Sequence, residues 1–178
     1  HRFEARKLSK FQLHAQVEDM DADKAAEIFV DCNRKMSRVS LQHRLQVDPR
    51  PIPSKIRAMA KRYKIGVRQV YGLLCGITRS EIQGDIATGS DFDLAETILA
   101  YWSKDSRWDQ EDQLFNYCGT LKAIGRLCWG KKEPLRVLKR LTELDFRFGG
   151  EYGRMYGSSN KNQAAILDWF EKKTGIGM

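Results

Sequence analysis

Apolar residues return every three or four positions along most of this chain, while strand-like alternation is scarce, so helices are predicted nearly throughout. In "DADKAAEIFVDCNRKM", Ala25, Ile28, Phe29, Cys32 and Met36 fall on one face, with Asp21 or Asp23 as N-cap. "VSLQHRLQVDPRPIP" reads as a connector, because Pro51 and Pro53 lack backbone donors and bias their predecessors toward extended geometry, so a helix restarts at Ser54. Thr78 stands three residues before Glu81, a capping-box spacing that starts a further helix or turn. Ser90, Asp91 and Asp93 precede Leu94, Ile98, Leu99 and Trp102, as suits acids at the positive end of a helix.

The longest apolar stripe joins Leu114, Cys118, Leu121, Ile124 and Cys128, and "EPLRVLKRLTEL" follows with Leu135, Leu138 and Leu141. Two packed helices are expected there. A glycine-rich turn, "FGGEYGRMYGSSN", separates them from a last helix carrying Ala165, Ile166, Trp169 and Phe170. The expected fold is therefore mainly α, with room for a short hairpin or wing near 146–157. Two arrangements fit: a basic helical part at 1–80 with a helical core and partner part at 81–178, or a single domain.

One stretch, "IRAMAKRYKIGVRQVYGLL" at 56–74, combines that periodicity with dense positive charge. Ala60 can be a small contact residue, Met59 and Tyr63 complete the inner face of a first helix, and Ile65 plugs a corner. Val70, Leu73 and Leu74 then face inward from a second helix. The turn falls at "KIG", where Gly66 can relax the backbone. The second helix would present Arg68, Gln69 and Tyr71 near its N-terminal end, the end that meets base edges in a major groove. Arginine can donate twice to guanine, and glutamine pairs doubly with adenine. Arg50, Lys55, Arg57, Lys61, Arg62, Lys64 and Arg79 flank the pair as phosphate-binding candidates.

The charge is unevenly spread. Of 31 basic and 23 acidic side chains, residues 1–80 hold 17 and 8, residues 81–120 hold 2 and 9, and residues 121–178 hold 12 and 6. Residues 44–68 carry eight basic side chains against the single acid Asp48. Such polarity implies a surface that faces a polyanion. Apolar residues make up 42% of the chain, enough for a core, and no apolar run approaches the ~18 residues of a membrane span. The four cysteines, Cys32, Cys75, Cys118 and Cys128, lack CxxC or histidine spacing and read as buried free thiols in a reducing compartment.

The string "AKRYKIGVRQVYGLL" is similar to the helix-turn-helix of resolvase and DNA-invertase recombinases and of many repressors, over about twenty residues. The resemblance implies DNA binding and no carried-over recombinase catalysis. In two places the chain departs from that pattern. Lys64 stands where glycine usually supports positive φ, and Gly72 sits inside the second helix. Gly72 is read as allowing close approach to a sugar-phosphate backbone. The alternative is one amphipathic helix with a solvated basic face.

Elsewhere, Arg147 and Arg154 alternate with Phe148, Tyr152 and Tyr156, and with Lys131, Lys132, Arg136 and Arg140 they form a candidate second nucleic-acid surface. Trp102, Trp108, Trp129 and Trp169 lie in or beside helical stripes and are read as core. Asp91, Asp93, Asp109, Glu111 and Asp112 are the residues a magnesium-dependent nuclease would need to bring together, yet they sit where helix starts favour acids. No Walker loop, HExxH or GxSxG occurs, so no catalytic residue, metal or cofactor is expected. The sequence thus predicts a DNA-binding protein, a transcriptional regulator or an accessory factor in replication, partition or transfer, with duplex DNA preferred to RNA. A homodimer is expected because one such motif makes few base contacts, and the location is cytoplasmic or nucleoid-associated, or nuclear in a eukaryote. The competing readings are an RNA-binding or nucleoprotein-like helical domain and a protein-interaction adaptor.

Overall fold

A computed structural model describes residues 21–35, 40, 45–79, 87–159 and 163–176. They form helices α1 (Ala22–Lys35), α2 (Pro51–Arg62), α3 (Val67–Ile77), α4 (Gly89–Trp102), α5 (Cys118–Cys128), α6 (Pro134–Thr142), α7 (Glu151–Ser159) and α8 (Gln163–Thr174). No strand occurs among the described residues, so the fold is mainly α. An isolated antiparallel bridge joins Gln113 to Arg147.

Several boundaries differ from the sequence expectation, each for a local reason. Helix α2 begins at Pro51 rather than Ser54, since prolines in a first turn lack only donors that have no intrahelical partner there. Thr78 ends α3 instead of starting a new element, its hydroxyl donating to Leu74 O at 3.0 Å. Glu81, the other half of that expected box, lies outside the described residues. Thr88 caps α4, and its own N–H donates to the Asp91 carboxylate at 2.7 Å, a reciprocal box. The segment expected to form a turn, hairpin or wing is helix α7 from Glu151 onward. Its Gly153 lies so close under the Phe148 carbonyl that no side chain would fit, and its Tyr152 is fully buried. In α1 the expected inner face is reversed at Ala25 and Ile28, which are exposed, while Val30 is buried. The side chains of Phe29, Cys32 and Met36 lie outside the described ones.

Helices α3 and α5 form the most extensive contact in the fold. A Cβ on Gly125 would lie 2.5 Å from Leu73 O, and one on Gly76 would lie 2.9 Å from the Lys122 carbonyl carbon. The two backbones therefore touch, which only glycine permits. Gly72 belongs to the same seam: a Cβ there would lie 2.5 Å from Cys118 Sγ, so this glycine accommodates α5 rather than a sugar-phosphate chain. Helix α2 packs on α3, α4 on α3 and α6, and α8 on α5 and α7. At the far end, Trp102 stacks on Phe115 with centroids 4.2 Å apart, Phe146 meets both edge-on, and the indole N–H donates to Phe115 O at 2.9 Å. Tyr152 donates to or accepts from Thr120 Oγ1 at 2.8 Å and stacks on Phe170. One continuous apolar cluster runs from Leu45 to Phe170, drawing on both sides of residue 80. Among the described residues, no helix is long and apolar enough to cross a membrane.

Candidate nucleic-acid interface

Between α2 and α3 the chain bends within four residues. Lys64 takes φ 53°, Ile65 N–H reaches back to Ala60 O at 3.0 Å, and Lys64 N–H points to Lys61 O at 3.4 Å. This pair of bonds is a Schellman stop with lysine in the left-handed position usually held by glycine. A residue with a Cβ costs on the order of 1 kcal/mol there. Gly66, expected to supply the freedom, is instead an extended N-cap at φ −73° and ψ 151°. The bend is held from outside as well: Trp108 Nε1 donates to Tyr63 O at 3.2 Å, and Tyr63 Oη donates to Glu96 of α4 at 2.7 Å. Burial, then that bond, pushes the Tyr63 phenol up to about 12.

The three expected base readers have different surroundings. Arg68 is exposed at the second position of α3. Gln69, half-buried at the third, folds its amide oxygen back over Gly66. Tyr71 is half-buried and packs against the core. From Gly72 to Ile77 every residue of α3 is buried, so only its first turn can approach a ligand.

The cations sort similarly. Arg50 forks onto Asp48 and lies 3.5 Å from Asp31, while Arg57 donates to Leu45 O, Asp48 O and Ser54 Oγ. Both are structural ties rather than free phosphate contacts. Asp48 is 4% exposed and would favour its neutral form through burial, yet the side-chain and backbone bonds from Arg50, and then the Arg50 and Arg57 charges, hold its carboxyl below the usual range. Arg62 pairs with Glu96, and Lys55 lies over the Phe92 ring, 5.1 Å from its centroid. Arg79 lies over Trp129. Lys61, Lys64 and Arg68 remain exposed at the bend, with no carboxylate partner among the described residues.

The expected second surface divides. Lys131, Lys132, Arg136 and Arg140 surround one cleft. Arg147 forks onto Asp145, and Arg154 donates to Gly149 O at 2.9 Å, both beside the exposed Phe148. Tyr152 is buried and Tyr156 half-buried, so of the three aromatics in that segment only Phe148 faces outward. It meets Tyr117 edge-on at 5.4 Å, and Tyr117 is also exposed. Sequence patterning missed Tyr117, which precedes α5 as its N-cap and lies on no helical stripe. Cys118, next to it, donates to Arg68 O at 3.4 Å, which brings this aromatic pair beside the first turn of α3. Trp129 and Leu135, read as core, are 43% and 49% exposed.

Asp91 is engaged in capping α4, and no cluster of three metal-ligating side chains occurs among the described residues. Cys75 and Cys128 are buried thiols and Cys118 is half-buried; burial raises the Cys128 thiol to about 12, well outside the reactive range. Fold and site together describe a helical protein with a bent, basic helix pair whose second member is also its central strut. The chain matches no protein-family model, no curated protein and no solved structure.

Proposed function

We propose that this chain binds nucleic acid with the α2–α3 corner and contacts duplex DNA there, as a regulator or as an accessory factor in DNA replication, partition or transfer. The supporting observation is the sorting of charge at the corner. Lys61, Lys64 and Arg68 sit exposed on the bend with no carboxylate partner among the described residues, while Arg50, Arg57 and Arg62 in the same stretch have internal partners. In this reading Lys61 and Lys64 neutralise phosphates, and the positive end of α3 adds to their pull. Arg68 reaches a base edge from the helix's first turn, and Gln69 assists only after its amide unfolds from Gly66. Burial of α3 beyond that turn limits sequence reading to one or two base pairs, so phosphate contacts dominate affinity.

The same burial favours a second reading, in which the corner tracks a nucleic-acid backbone without reading bases, as an RNA-binding or nucleoprotein-like domain would. Binding of duplex DNA, single-stranded DNA and RNA across a salt series separates the two. Sequence preference on duplex DNA that disappears in Arg68→Ala, while nonspecific affinity largely persists, supports base reading. Equal losses on every ligand would leave backbone binding alone, and salt-insensitive or absent binding would remove both.

A further inference from the structure

Outside the corner, a second group of side chains combines a cleft, a charge imbalance and an exposed aromatic. Helix α5 ends at Cys128, and the chain turns away through Trp129 and Gly130, whose φ of 67° only glycine adopts readily. Lys131 N–H closes the turn onto Cys128 O at 3.2 Å. The Arg79 guanidinium lies 3.9 Å from the centroid of the exposed Trp129 ring. Arg79 is also held at φ 57°, a conformation that disfavours any residue with a Cβ. Backbone strain at an exposed arginine stacked on an exposed tryptophan points to a positioned pair rather than a packing leftover.

Just past this turn lies a cleft of about 400 Å³ between α6 and the segment after α8. Its walls carry Lys131, Lys132, Arg136 and Arg140, its apolar lining is Val137 and Ile176, and among the described residues Glu133 is its one carboxylate. Glu133 lies 3.8 Å from Arg136, and Arg140 donates to Thr174 O at 3.1 Å, which ties the end of α8 to α6 and fixes the cleft. Among the described residues the lining is mainly cationic, which favours an anion, and the volume falls within the range of small-ligand sites. Trp129 stands two residues before Lys131, which lines the cleft, so the exposed ring and the cleft flank one turn with their backbones at most ~7 Å apart. An aromatic ring with a stacked guanidinium takes a nucleobase on an open face.

We propose that the Arg79–Trp129 pair and the adjoining basic cleft form a site for a phosphorylated nucleoside, its base stacked on the pair and its phosphate among Lys131, Lys132, Arg136 and Arg140. The ligand is either a free nucleotide or a nucleotide within a single strand. The site is distinct from the α2–α3 corner and does not depend on it.

Calorimetric titration of the full chain with AMP, adenosine, inorganic phosphate and an octamer of deoxyadenylate tests this, with tryptophan fluorescence followed alongside. AMP, the octamer or both should bind and quench, with adenosine and phosphate each weaker by roughly tenfold or more, the weight of losing one anchor. Binding of AMP assigns a free nucleotide; binding of the octamer without AMP assigns a strand. Trp129→Ala and the pair Lys132→Glu with Arg136→Glu, all at exposed positions, should lose that binding with unchanged far-ultraviolet dichroism, and Trp129→Phe should restore it calorimetrically. A Lys61→Ala, Lys64→Ala, Arg68→Ala variant should keep it. The proposal is overturned if neither AMP nor the octamer binds, if phosphate binds as tightly as AMP, if the Trp129→Ala protein binds normally, or if the corner variant loses the response.

Discussion

Replacing Gly125 with alanine probes the seam on which the corner rests. The new Cβ would lie 2.5 Å from Leu73 O, 3.1 Å from Leu73 Cδ1 and 3.2 Å from Ile77 Cγ1. Unstrained carbon contacts fall near 3.5–4.0 Å, so α3 and α5 must separate by several tenths of an ångström or more. The two side chains can turn away, but the backbone oxygen moves only with its helix. Overpacking of this kind costs about 1–3 kcal/mol, and the backbone obstacle puts this site near the top of that range. Alanine returns about 1 kcal/mol of helix propensity, leaving a net loss of about 2 kcal/mol. In a protein of 178 residues that lowers the melting temperature by about 4–8 °C. Thermal melting followed by circular dichroism measures it, with Gly89→Ala as control, because a Cβ there meets nothing within 4 Å. If Gly125→Ala melts at or above the parent while the control behaves normally, the helices do not touch backbone to backbone, and the account of α3 as a buried strut fails.

The other expectations follow from single contacts. Lys64→Gly should raise stability by about 1 kcal/mol, by removing the left-handed strain, and yet weaken binding to every duplex alike; a less stable variant would contradict the Schellman geometry. Trp102→Ala should cost about 3–5 kcal/mol in chemical denaturation, since it removes the stacked centre of the aromatic cluster, and a loss below 1 kcal/mol would argue against that packing. Acid stability should depend on Asp105 and Asp145. A side-chain bond from Arg107 lowers the first carboxyl, and one from Arg147 lowers the second to about 2. Each binds its proton less readily in the folded chain than in the unfolded one, so its contribution is complete above about pH 4 and is lost as pH falls toward the folded value. Melting temperature should therefore drop between about pH 4 and 2, and Asp105→Asn should shrink that drop; an unchanged acid profile would remove Arg107 as its cause.

Periodicity is a good guide wherever a helix buries one face, as in α4 and α8, because a stripe at three-or-four spacing is the direct imprint of such burial. It was least informative for α3, which is buried all round in its second half. Arg68, Gln69 and Tyr71 precede that half and made the whole helix look like an outward reader, while Gly72 and Gly76, the marks of a second backbone alongside, carried no periodic signal. The eight cations between residues 44 and 68 do not reveal by their number that Arg57 spends its donors on Leu45 O and Asp48 O, contacts twelve and nine residues away. The bend at Lys64 was legible from its position in the turn, although glycine at 66 drew attention to the wrong residue. Trp129 sat in a helical stripe yet faces outward, because α5 ends one residue earlier and Gly130 redirects the chain.

The role of the corner is tested most directly by the salt dependence of duplex binding for the parent and for the Lys61→Ala, Lys64→Ala, Arg68→Ala variant. Each phosphate contact contributes about 0.9 to the slope of log affinity against log salt, so loss of the two lysine contacts should flatten the slope by roughly 1.8 and weaken binding most at low salt, while loss of Arg68 removes base reading. Parent and variant with the same slope and affinity, or a parent that does not bind duplex DNA at low salt, would contradict the proposed role.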